Sequence, residues 1–419
     1  MSRHILHASP KMKWFVLLFT FVFAIGMNSF RNSFQFFMHP MAETFHAERS
    51  LISASVSIFM ITTGVVQFFV GFFLDRFSVR KIMGIGAICI SASFLALPHS
   101  PNVHIFSVIY GVLGGIGYSC AVGVTTQYFI SRWFDTHKGL ALAILTNANS
   151  AGLLLLSPIW AAAPYYAGWQ TTYTILGIFL AAVLLPLLAF GMKHPPNVQG
   201  QSMKKSYDWQ GFWKVLKQSR LIHILYFGVF TCGFTMGIID AHLVPMLEDA
   251  HVSHINGMMA AFGAFIIIGG LLAGWLSDLL GSRSVMLSIL FFIRLISLIC
   301  LLIPALGIHN SELWYLGFTL LFGLSYTGVI PLTAASISES FQTGLIGSLL
   351  GINFFIHQIA GALSVYVGGL FFDMNHNYLL IIVVCLVLVC LSALLELVPI
   401  KKNNHVHSEE SVENENSIS

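Results

Sequence analysis

Twelve runs of about twenty apolar residues follow one another along this chain, and that length is what an α-helix needs to cross the hydrocarbon core of a bilayer. They fall at about 14–37, 51–74, 82–98, 104–130, 138–162, 170–191, 221–246, 256–280, 285–304, 313–337, 345–371 and 378–399. In lipid every backbone N–H and C=O must be satisfied inside the segment or inside a closed barrel, so only helices or a barrel fit such a chain. The alternating period of a membrane barrel strand is absent. Composition agrees: 56% of residues are apolar, 9% are charged, and the mean hydropathy of +0.81 lies far outside the range of a soluble domain. The expectation is an all-α membrane protein.

The first run follows Lys11 and Lys13, as a secretory signal would, yet it is too long for a signal h-region and carries polar residues within it. It reads as a retained first helix. The six cysteines show no Cys-x-x-Cys spacing, so neither a disulfide framework nor a metal site is expected, and they read as packing residues.

Two stretches repeat one another. Gly71, Asp75, Arg76, Arg80 and Lys81 stand at the end of the second apolar run and Gly274, Asp278 and Arg283 at the end of the eighth, with glycine, aspartate and arginine (Gly71, Asp75, Arg80; Gly274, Asp278, Arg283) at identical offsets. A duplicated membrane unit predicts two pseudo-symmetric six-helix bundles and points to a secondary transporter. The bundles are expected over 1–192 and 221–400, with a linker at 193–220 and a tail at 401–419.

Seventeen of the twenty Lys and Arg fall on one side of this layout, and Arg49 alone falls in a loop on the other. The positive-inside rule then predicts that both termini are cytoplasmic. Within the linker Trp209, Phe212, Trp213 and Leu216 recur at helical spacing beside Lys214 and Lys217, the pattern of a helix lying on an anionic membrane surface. The tail is polar and acidic and is expected to be disordered.

The motif around Gly71, Asp75, Arg76, Arg80 and Lys81 resembles the loop signature of the major facilitator superfamily, with Ser78 standing where a glycine is usual. The likeness runs from the first helix to the last and implies the major facilitator fold. It also implies that Asp75, Arg76 and Arg80, with Asp278 and Arg283 in the second copy and glycines 71 and 274, belong to a latch that joins the halves in one state and releases in another. The alternative is that these charges only fix topology.

Phe37–Phe45, Arg132–Ala141 and Ala241–Pro245 resemble the monocarboxylate-transporter and oxalate/formate-antiporter branch, as do Arg294, Pro331-Leu332-Thr333 and His357-Gln358. That branch implies an organic-anion substrate. The chain departs from it in helix 8, which holds no Arg or Lys, and in helix 11, which offers His357 instead of a lysine.

Ionisable groups inside spans cost about 2.5–3.5 kcal/mol each at the bilayer centre and are kept for a reason. Arg31, Asn28 and Gln35 share one face of helix 1 and are candidates for binding a carboxylate, against a reading in which Arg31 reaches the outer surface. Asp240 in helix 7 is the candidate proton carrier: paired with Arg31, it would take up a proton when substrate displaces it. An ordinary gating salt bridge fits equally well. His357 suits proton coupling or anion contact, or a plain structural role. Arg294 reads as structural, bound to a carbonyl or to an acid such as Glu339.

Tyr118, Asn149 and Tyr326 add polar groups that orient a ligand or join helices. No Gly-x-x-x-x-Gly-Lys, His-Glu-x-x-His or Gly-x-Ser-x-Gly motif occurs, so neither ATP-driven pumping nor enzyme activity is expected. The leading expectation is a proton-coupled or exchange carrier, without cofactor or metal, for a small organic anion at the bacterial inner membrane. It would act as a monomer in the lipid bilayer, with no nucleic-acid partner. Transport of a larger amphiphile, drug or metal chelate is the alternative.

Overall fold

The computed structural model describes residues 10–134, 137–184, 186, 188, 209–308, 312–341 and 343–397. The predicted tail at 401–419 and the linker over 193–208 lie outside the described residues. Eleven helices among those described are long and apolar enough to span a membrane. The twelfth, helix 6, runs from Gly168 to Phe179 and on through Leu180–Leu184, where the continuous description stops.

Helices 1 to 5 are Pro10–Phe45, Arg49–Arg76, Val79–Ala96, Val103–Ser131 and Leu140–Tyr166. Helices 7 to 12 are Arg220–Asp249, Ile255–Leu280, Arg283–Ala305, Glu312–Ser340, Thr343–Asn375 and Leu379–Glu396. The ends follow local chemistry. The side chains of Ser78, Asn102, Ser219 and Ser282 each accept a hydrogen bond from the backbone N–H three residues on, satisfying donors that a helix start leaves orphaned. Ser78, which replaces the usual loop glycine, therefore caps helix 3. The amphipathic helix predicted in the linker is present at Trp209–Gln218, with Phe212 buried toward the bundle and Trp213 exposed.

The duplication is visible in the backbone. Helices 1 and 7 carry Pro40 and Pro245, and just beyond each a histidine takes a left-handed conformation, His46 (φ 48°) and His251 (φ 53°). Both pairs stand 205 positions apart.

The two halves meet along three helix pairs: 2 with 11, 5 with 8, and 1 with 7. Lipid offers no hydrophobic drive between helices, so these seams rely on small residues and short polar contacts. A Cβ on Gly263 of helix 8 would stand 2.7 Å from the Leu154 backbone nitrogen of helix 5. Ser57 donates to the Ala362 carbonyl at 2.8 Å between helices 2 and 11. Within the first half, Phe30 of helix 1 stacks on Tyr110 of helix 4 at 4.7 Å and meets Phe94 of helix 3 edge-on at 5.0 Å.

Gly263→Ala should force helices 5 and 8 apart and destabilise the protein by about 1–3 kcal/mol. Gly257→Ala, on the same helix with nothing within 4 Å, should not. Thermal unfolding of the two purified variants compares them directly.

Candidate functional site

Helix 1 places Arg31 and helix 7 places Asp240 near mid-span, on facing surfaces of the two halves, and the two side chains form an ion pair. The Tyr326 hydroxyl of helix 10 donates to the other oxygen of the same carboxylate. In the duplicated layout Asp240 occupies the position of Gln35, 205 residues earlier. Arg31 does not reach for the outer surface. Pairing offsets the desolvation of both charges, and the tyrosine supplies a charge-assisted hydrogen bond to the remaining lone pairs. The side chains keep 22% and 18% of their exposure although they face each other between the halves, so neither is fully enclosed.

From the first half, the Tyr118 hydroxyl donates to Asn28 Oδ1 at 2.8 Å and lies against the Arg31 guanidinium. Asn28 in turn donates to the Ala24 carbonyl at 2.7 Å. Both tyrosines sit beside interruptions of their helices. Helix 4 breaks at Val122–Gly123, where Gly123 takes φ 68°, a conformation open to glycine and strained for other residues. Helix 10 breaks between Tyr326 and Val329, and Gly328 is 205 positions from Gly123. Paired, interrupted spans in equivalent positions of two repeats mark solute sites in duplicated carriers, because broken helices free backbone groups at cavity depth.

Other predicted site residues cluster less tightly. Gln35 is 5% exposed and its Oε1 has no hydrogen-bond partner among the described residues; Asn149 is tied to helix 1 through its carbonyl, which accepts from Asn32 at 3.2 Å. His357 is 4% exposed, with Nδ1 at 3.3 Å from Gln358 Oε1 and Nε2 unpartnered. Of the two partners expected for Arg294, the structure gives the carbonyl and not the acid. Arg294 has no contact with Glu339, which pairs with Arg283, and its guanidinium is buried against carbonyls and hydroxyls. Glu339 sits near the far end of helix 10, while Arg294 sits beside that helix's interruption, where freed carbonyls are available.

A second cluster was not foreseen. At the end of the bundle opposite the start of helix 1, here termed the distal end, His39 Nδ1 lies 3.0 Å from Glu248 Oε2. This helix 1 to helix 7 contact has the same separation, 209 residues, as Arg31 and Asp240. Arg49, 7% exposed, donates in a fork to both oxygens of Asp249 at 2.5 and 2.7 Å and to the Tyr378 hydroxyl at 2.8 Å. Its guanidinium also lies 3.7 Å from the Phe372 ring centre. Asp373, at the end of helix 11, accepts from the backbone N–H of Arg49 and of Ser50, both at 3.0 Å, and so caps helix 2 from the opposite half. Deeper in the seam, His242 joins Ser53 at 3.2 Å and Tyr378 at 3.0 Å. The signal available in the sequence was Arg49 itself, a lone base among the acids Glu248, Asp249 and Asp373.

The end that carries the duplicated motif is arranged otherwise. Arg283 donates to Asp278 at 2.7 Å and to Glu339 at 3.2 Å, all within the second half. Arg76 is exposed, neither Arg76 nor Arg80 makes an ion pair to the other half among the described residues, and a Cβ on Gly71 or Gly274 would meet nothing within 4 Å. The side chain of Asp75 lies outside the described residues. The predicted latch is thus not made across the halves by the described residues, while the distal end is bolted.

Residues 16–365 match the Major Facilitator Superfamily. The chain belongs to that family. It is 86% identical over 394 residues, 94% of this chain and 97% of the relative, to the MFS-type transporter YcxA of Bacillus subtilis (strain 168). It is 22% identical to monocarboxylate transporter 12-B of Danio rerio, over 73% of this chain and 69% of the relative. Among solved structures it resembles a bacterial homologue of the human lysosomal transporter Spinster, with a TM-score of 0.72 at 11% identity, covering 93% of this chain and 97% of that one. This major facilitator protein is a multi-pass membrane transporter and not an enzyme.

In this transporter the Arg49–Asp249 fork should show coupling. Arg49→Gln and Asp249→Asn should each lower the thermal unfolding midpoint, and the double variant should lose less than the two together, by about 0.5–3 kcal/mol. Strict additivity would show that the fork contributes nothing.

Proposed function

We propose that this protein is a secondary active carrier for a small organic anion of monocarboxylate type, working by alternating access and driven by protons or by exchange. The observation that carries the reading is the Arg31–Asp240–Tyr326 group, a partly exposed guanidinium paired across the halves. A carboxylate that reaches the pair competes with Asp240 for the planar fork of Arg31. Asp240 then keeps the Tyr326 hydroxyl but loses its counter-ion, and in a site of low dielectric it takes up a proton. Solute and proton in this way bind together.

The family relationship to proteins named monocarboxylate transporters supports the same substrate class. Gln35, Asn149, Tyr118 and His357 complete the solute site in this reading, with Asn28 orienting Tyr118. The excess of Lys and Arg at the motif end supports placing that end, and both termini, in the cytoplasm of a bacterial cell. The distal cluster is then an outer gate, closed here, and the bundles 1–192 and 221–400 are the rocking bodies. Asp75, Arg76 and Arg80 with Asp278 and Arg283 close the inner side in the opposite state.

The test is uptake of labelled mono- and dicarboxylates into proteoliposomes, with and without a pH gradient. Arg31→Gln should lower uptake at limiting solute by about thirtyfold or more. Asp240→Asn should abolish accumulation driven by the gradient and spare exchange. Normal transport by both variants would end the charge-pair mechanism, and uptake unchanged after collapse of the gradient would remove proton coupling.

A further inference from the structure

Arg294 is the largest charged side chain in the protein with no exposure at all, and among the described residues no carboxylate pairs with it. An isolated guanidinium in a membrane span is costly, so its donors must be spent on something that matters to the fold. Its Nη2 donates to the Ser325 carbonyl at 2.6 Å and more weakly to the Tyr326 carbonyl at 3.4 Å. Nε donates to Ser325 Oγ at 3.3 Å, and Nη1 to Thr235 Oγ1 of helix 7 at 3.0 Å. The Phe322 ring lies 5.1 Å from the guanidinium carbon and closes that side.

These acceptors are not arbitrary. Ser325 and Tyr326 are the last two residues before helix 10 breaks, so their carbonyls lie where the helical ladder is interrupted. Tyr326 is the residue whose hydroxyl holds Asp240, and Thr235 lies five residues before Asp240 on the same helix. One guanidinium therefore fixes both ends of the Tyr326–Asp240 hydrogen bond relative to each other.

We infer that Arg294 is a positioning residue for the charge pair: by clamping the interrupted end of helix 10 to helix 7, it sets the Tyr326 hydroxyl on Asp240 and so aims that carboxylate at Arg31. The consequence is conformational. Because Arg31 belongs to the other half, an Asp240 that is poorly aimed weakens the closure of the distal side. Five N–H donors in a rigid fork serve four acceptor atoms on three residues at once, and the point charge of lysine does not. The inference rests on the reading of Arg31 and Asp240 as the pair that joins the halves, but it does not depend on which solute is carried.

The experiment reads gate opening without any solute. With the six native cysteines replaced, Ser53→Cys places a thiol in the distal seam, where Ser53 is fully buried beside His242. Its rate of reaction with a water-soluble maleimide, in purified full-length protein, reports how often the seam opens; Arg49→Gln, which unbolts the gate, serves as the positive control. Tyr326→Phe and Arg294→Lys should each raise the labelling rate about fivefold or more. The double variant should label no faster than the faster single one, since both act on one hydrogen bond. Thr235→Val and Ser325→Ala, which trim the clamp and keep the guanidinium, should also accelerate labelling, and they carry the test if Arg294→Lys does not assemble.

Labelling at the parental rate in the clamp variants while Tyr326→Phe accelerates it would overturn the inference. So would rate increases that multiply in the double variant, which is the behaviour of a merely structural arginine. Failure of carboxylate uptake in the preceding assay would remove the anion substrate and leave this result standing.

Discussion

A charge inside lipid needs a partner, and in this protein Arg31 and Asp240 find theirs in opposite halves. Arg31 and Asp240 can each be buried near mid-span only because the other is there. Since helices 1 and 7 run side by side in the same direction, the pair is followed toward the distal end by His39 and Glu248, eight residues on in each helix, about 12 Å along the axis. The two tiers make helix 1 and helix 7 a zipper. Any state that opens the distal side must separate both tiers, and something else must then satisfy the mid-span charges. In the function proposed above, an anion for Arg31 and a proton for Asp240 meet that need and link solute movement to separation of the two tiers.

The ends of the bundle are consequently unlike. Distally, Arg49 forks onto Asp249 and Asp373 caps helix 2, so a helix terminus in one half is completed by an acid from the other. At the motif end, Arg283 gathers Asp278 and Glu339 within one half, where the contact holds helices 8, 9 and 10 together without tying the halves. Between the ends, seams of small residues such as Gly263 bring backbones into close contact and carry few specific polar bonds. Polar contacts between the halves at one end and seams of small residues beside them suit a molecule in which one half shifts against the other.

Much of this was legible in the residues. A guanidinium or a carboxylate within an apolar run stands out because its burial is expensive, and so Arg31 and Asp240 declared themselves as an expected pair. The distal cluster did not, because His39, Arg49, Glu248, Asp249 and Asp373 lie near helix ends, where charges are ordinary. The interruption of helix 10 was equally hidden, and with it which carbonyls Arg294 would meet: a broken ladder of hydrogen bonds creates acceptors that no side-chain pattern reveals. Glu339 was a reasonable partner by chemistry and the wrong one by height in the membrane.

By itself the sequence determined the solvent, the number of spans and the doubling of the unit, because apolar run length and repeated offsets are local quantities that lipid reads directly. Tertiary structure alone decided which charges meet, which end is bolted and which carbonyls a buried arginine must satisfy. Those outcomes depend on the height and rotation of one helix against another, and these are fixed by packing between residues some two hundred positions apart in the chain.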